Sequence, residues 1–145
     1  MAQHQPTYFT DLRVNIKIQL MAMWTTVMFC YVYGDYFELY VPGKTQGLLD
    51  GQNLLDSPAK LFLAMLMLLI PALMIMLSVL VTAPLNRILN MVFAGMYTLL
   101  MILVGVGSIS SWRSFYVFLA AVEAMITFMI FWKALKWPRL PLDSL

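Results

Sequence analysis

Charge is the scarcest property of this sequence. Only 11% of its 145 residues are Asp, Glu, Lys or Arg, against roughly 25% in ordinary soluble domains. The formal net charge of +2 is too weak and too scattered to mark a nucleic-acid surface, so no nucleic-acid partner is expected. Cysteine is limited to Cys30, which excludes a disulfide framework within the chain. The one histidine, His4, has nothing near it to complete a haem or metal coordination set, and neither metal nor cofactor is expected. Also missing are a phosphate-cradling glycine loop, a nucleophile paired with a base, and any internal repeat. These absences weigh against an enzyme, although membrane enzymes that modify lipids can assemble carboxylates from different helices. The opening MAQHQPTYFTDLRVN is polar and lacks the apolar core and small-residue cleavage site of a signal peptide.

What the chain has in quantity is apolar surface. Hydrophobic residues make up 62% of it and its mean hydropathy is +0.82, which places it among integral membrane proteins. A span needs about 20 mostly apolar residues, and the stretches from Asn15 to Tyr36, Leu61 to Val81, Ile88 to Val106 and Ser114 to Trp132 meet that length. Ser57 before Pro58 and Thr82 before Pro84 supply helix starts; Gly107 with Ser108, Ser110 and Ser111 makes a tight link. The connections after the second and third spans are too short for anything but antiparallel neighbours. The expected fold is an all-α integral membrane four-helix bundle, up-down-up-down. It divides into an N-terminal segment (1–13), a single membrane domain (14–137) with its long outer loop at 37–60, and a tail (138–145).

Arg13, Lys17, Arg87, Lys133, Lys136 and Arg139 fall on one side of this arrangement, and Lys44, Lys60 and Arg113 on the other, with Asp50 and Asp56. The excess puts both termini in the cytoplasm of a protein of the cell inner (plasma) membrane. Trp112, Trp132 and Trp137 sit at helix ends as an aromatic belt requires, and Trp24 alone lies within a span. In the outer loop VPGKTQG reads as a turn, and the leucine pairs of GLLDGQNLLD suit a short helix on the membrane surface: an interfacial connector, or a lid over a cavity. The thirteen methionines are spread over all the spans and read as flexible packing residues rather than copper ligands.

Candidate functional residues cluster in two places. Counting about 1.5 Å of rise per residue from Lys133 and Arg87 puts Glu123 and Tyr97 near mid-membrane, level with Thr25, Thr26 and Pro71. A carboxyl there costs about 2.5–3.5 kcal/mol on insertion scales, which makes Glu123 the sharpest signal in the chain. It suits a proton relay, a cation site or a hydrogen bond to a ligand; the plain alternative is an interhelical tie to Tyr97. Pro71 is expected to free a backbone carbonyl in the second span. The second cluster is Tyr31, Asp35 and Glu38, at the outer boundary on one helix face. Lys17 and Gln19 read as snorkelling side chains without chemistry, and Ala94, Gly95, Gly105 and Gly107 as points of close helix approach.

The run Tyr31-x-Tyr33-x-Asp35, the span broken by Pro71 and closing in LSVLV, the Asn86-Arg87 junction, and the Glu-bearing last span ending in Lys-x-x-x-Trp-Pro together resemble a family of small bacterial four-span proteins carrying a domain of unknown function. The resemblance covers about Val14 to Trp137 and implies topology without an activity. In layout alone the chain is similar to DoxX-like proteins and to the sterol isomerase and sigma-two receptor folds, which enclose apolar ligands. The function expected is therefore binding or transport of a small or lipid-like molecule, apolar or cationic, in a cavity lined by Tyr31, Asp35, Glu38, Tyr97 and Glu123. Because four spans enclose little volume, a homodimer within the lipid bilayer is expected. The alternative is a structural or accessory subunit of a larger membrane complex.

Overall fold

A computed structural model of the chain describes residues 13–138. His4, the polar N-terminal stretch through Asp11, Arg139 and the rest of the tail lie outside the described residues. Within them the fold is entirely helical: α1 (Ile16–Glu38), α2 (Lys44–Leu49), α3 (Pro58–Leu80), α4 (Ala83–Gly107), a single 3-10 turn at Ser111–Arg113, and α5 (Ser114–Leu135). Four of these helices are long and apolar enough to cross a membrane, so this is a membrane protein with four candidate spans. Most of their large apolar side chains lie on the outside, where lipid would cover them.

The helices run somewhat longer than the apolar runs suggest: α3 and α4 start earlier, at their caps, while α1 and α5 run on at their C-terminal ends to Glu38 and Leu135. Asn15 accepts the backbone N–H of Lys17 at 2.9 Å to open α1, and Ser57 accepts that of Lys60 at 3.3 Å ahead of Pro58 in α3. Thr82 is the N-cap of α4 without a side-chain hydrogen bond, so Pro84, whose ring is already set for the first helical turn, carries that start.

Alternation of the helices brings the C-termini of α3 and α5 beside the N-termini of α1 and α4. Three basic residues close this basic end. Lys17 donates from Nζ to the Val81 carbonyl at 2.6 Å and to Val79 at 3.3 Å. Arg87 donates to the carbonyls of Ala134 and Leu135 at 3.1 and 3.4 Å, and Lys133 to Gln19 Oε1 at 2.8 Å. Cations on the last carbonyls of a helix complement its dipole and fill the orphan acceptors there. Lys17 and Gln19, expected only to snorkel, therefore tie helices together.

The core sits in the basic half of the bundle. Leu20, Trp24, Met74, Ala94, Tyr97 and Ile130 are buried there, around a polar chain that nothing in the sequence announces. Trp24 donates its indole N–H to Asn90 Oδ1 at 2.8 Å; the Asn90 amide donates to the Asn86 carbonyl and Oδ1 at 2.9 and 2.6 Å; and Asn86 donates to the Ser78 carbonyl at 2.5 Å. This chain joins α1, α4 and α3 through side chains that are fully buried. Amides and an indole N–H persist in hydrocarbon only when bonded to one another in this way.

Packing changes at Pro71. Towards the basic end α3 buries Pro71, Met74 and Ser78, whereas from Leu61 to Leu69 no residue is buried and all but Ala64 are exposed. The loop-end half of α3 therefore stands apart from the bundle core, and the space beside it is the cavity described next. On the opposite side α4 and α5 approach closely: a methyl group added at Gly105 would lie 3.4 Å from the Ala120 Cβ.

Candidate functional site

A cavity of about 270 Å³ opens in the loop-end half of the bundle. Cys30, Tyr31, Gly34 and Asp35 line it from α1, Ala64, Met67 and Leu68 from α3, Tyr97, Leu100, Met101 and Val104 from α4, and Tyr116, Leu119, Ala120 and Glu123 from α5; Leu55 reaches it from the loop. Four of the five residues singled out in the sequence, Tyr31, Asp35, Tyr97 and Glu123, thus border one space.

Glu38 does not. It sits one turn beyond Asp35 at the loop end, its Oε1 accepting from Arg113 at 2.5 Å and from Lys44 at 3.0 Å. The three-residue step rotates Glu38 away from Asp35 by enough to meet the start of α5 rather than the cavity. Glu38 is only 12% exposed while Arg113 is 34% exposed, so the pair is partly shielded from water and holds the α1 end, the 3-10 turn and α2 together. Replacing Glu38 by Gln should leave the spans intact and loosen this corner by about 1 kcal/mol. Hydrogen exchange of the α2 amides would then rise about fivefold; unchanged exchange would show that the ion pair holds nothing in place.

Tyr97 and Pro71 have a relation that the sequence half discloses. Pro71 has no N–H for the Met67 carbonyl one turn earlier, and the Tyr97 hydroxyl donates to that carbonyl. The interhelical tie between Tyr97 and Glu123, the plain alternative for that acid, is not among the hydrogen bonds of the described residues. Tyr97 is committed to α3, and it also meets Trp24 edge to face with ring centroids 6.1 Å apart. Tyr97 also lines the cavity, so it stands between that space and the buried Trp24.

This leaves Glu123 with no hydrogen bond to its carboxyl among the described residues, although the residue is only 5% exposed. Its backbone carbonyl is used, accepting the Thr127 hydroxyl at 2.8 Å, and Thr127 also accepts from Thr98 at 2.9 Å to join α5 to α4. The threonines expected at this level, Thr25 and Thr26, turn back to carbonyls of their own helix at 2.9 and 3.0 Å. The Tyr31 hydroxyl is buried without a partner among the described residues. Among those residues no Lys, Arg or His lines the cavity, and no three His, Cys, Asp or Glu gather as metal ligands would.

Tyr116 belongs to the site without any sign of it in the sequence. It lies two residues into an apolar run, where a tyrosine looks like an ordinary belt residue. Only the approach of α5 to Gly34 on α1 turns it inward: a methyl group added at Gly34 would lie 3.6 Å from the Tyr116 ring. The loop differs from expectation by a few residues. Lys44–Leu49 forms α2, across the stretch expected to turn, and Gly43 supplies the left-handed backbone (φ 78°) at its start. The second leucine pair then lies in the return segment, which lets Leu55 reach the cavity.

Helical membrane architecture and one acid-lined cavity define a class, small four-span membrane proteins, without defining a reaction. The chain belongs to a family of unknown function (DUF6326), whose profile it matches over residues 10–144. Comparison with curated proteins and with solved structures finds no match.

Proposed function

We propose that the protein binds a small, largely apolar or lipid-like molecule in the cavity between α1, α3, α4 and α5. The observation that carries this reading is a buried carboxyl, Glu123, left without a partner among the described residues at the wall of a space that is otherwise mostly apolar. Ligand sites combine apolar walls with a few convergent polar groups in this way, and the cavity lies just below their usual range of about 300–1,000 Å³. Binding is favoured over passage through the bundle, because the basic half is closed by fully buried Leu20, Trp24, Asn90 and Ile130. The basic end is assigned to the cytoplasm on the distribution of lysine and arginine, which opens the cavity towards the outer half of the membrane.

Native mass spectrometry of the protein released from nanodiscs, wild type against Ala64→Phe, tests this reading. Ala64 lines the cavity on the loosely packed part of α3, so a phenyl ring there fills the space without entering the core. A small molecule retained by the wild type and lost from the variant is the expected result. Equal retention by both, or an empty wild type, refutes it. The exposed loop-end half of α3 favours a second reading, an accessory subunit that packs that helix against a partner; an empty wild type that co-purifies with one other membrane protein would support it.

A further inference from the structure

Resting on that binding reading, we infer that the ligand is an organic cation, a protonated or quaternary amine on an apolar body, held with its charge between Glu123 and Asp35. Both acids line the cavity and, among the described residues, no basic side chain does. The cations nearest the loop end by sequence, Lys44 and Arg113, are already engaged by Glu38 at 3.0 and 2.5 Å. Glu123 is more than nine-tenths buried and its carboxyl has no donor among the described residues. A carboxylate on an apolar wall gains most from a cation brought to it, and the bundle itself supplies none in this cavity.

The rest of the lining selects among cations. A hard metal ion takes six or more oxygen ligands, and the walls facing Glu123 are leucine, methionine, valine and aromatic rings. Those walls suit an apolar body, while Tyr31, Tyr97 and Tyr116 present ring surface of the kind that attracts ammonium groups. A neutral ligand would gain nothing from the two negative groups together, and an anion would be repelled by both.

The test is a matched ligand series on the full-length protein in nanodiscs, with protein-free discs as the blank: an amine, an alcohol and a carboxylate, each on a phenylpropyl and on an octyl body. The amine should bind about tenfold or more tighter than the alcohol, with no measurable binding of the carboxylate. Glu123→Gln should remove the preference for the amine while the alcohol binds as before, which also shows that the variant is folded. Asp35→Asn, at an exposed position, should weaken the amine alone. Discs of phosphatidylglycerol with and without phosphatidylethanolamine distinguish the sources: competition by the second lipid makes the cation a lipid headgroup, and its absence makes it a free lipophilic amine. Equal binding of amine and alcohol overturns the cation while leaving the binding reading intact, as does tightest binding of the carboxylate. Binding of none of the six compounds overturns both.

Discussion

Trp24→Ala is expected to lower the resistance of the bundle to unfolding by about 3–4 kcal/mol, and Trp24→Phe by about 1–2. Trp24 is fully buried between Tyr97 and Asn90. In a bilayer the transfer part of a large-to-small substitution largely vanishes, since lipid is as apolar as the core. The cavity part, about 24 cal/mol per Å³, does not, and a missing indole leaves a large void. Phenylalanine keeps most of the ring but removes the N–H, leaving Asn90 Oδ1 buried without a donor. Titration of reconstituted protein with denaturing detergent, or steric trapping in bicelles, separates the two effects. A cost below about 1 kcal/mol for the alanine variant would show that α1 is not seated on this core.

The second large effect is a coupling. Tyr97→Phe alone should cost about 1–2 kcal/mol, because the Met67 carbonyl then lies in apolar surroundings with no donor. Pro71→Ala restores a backbone N–H one turn after Met67, so that carbonyl regains its helical partner. In the Pro71→Ala background, Tyr97→Phe should therefore cost no more than about 0.5 kcal/mol, a coupling of roughly 1 kcal/mol that a double-mutant cycle reads directly. Equal costs in the two backgrounds would mean that the hydroxyl and the proline act independently. The same cycle bears on the cavity: an alanine at position 71 should tighten α3 against its neighbours and reduce ligand retention.

Much of the architecture is legible in the sequence because hydrocarbon imposes few options. Apolar length specifies the spans, short links make neighbours antiparallel, and the cost of a buried acid points to Glu123. Tyr31 and Asp35 stand out as a pair because a spacing of four residues places them on one helix face. Glu38 groups with them by the same proximity in sequence, yet a further three residues of rotation carries it to Arg113, a residue far away in the chain. Asn90 leaves no comparable trace, since one amide in an apolar run does not reveal that an indole from another helix will meet it.

By itself, then, the sequence determined that this is a four-span helical membrane protein, roughly where its helices lie, and which ionisable group, Glu123, lies deep within them. Those properties follow from local composition and from the thickness of a bilayer, which act on each segment separately. Only the tertiary structure decided which groups satisfy one another: Tyr97 with the carbonyl freed by Pro71, Trp24 with Asn90, Glu38 with Arg113 and Lys44, and the Glu123 carboxyl with none of the described residues. The rotation of each helix about its own axis sets those pairings, and packing between helices, which no single segment encodes, sets the rotation.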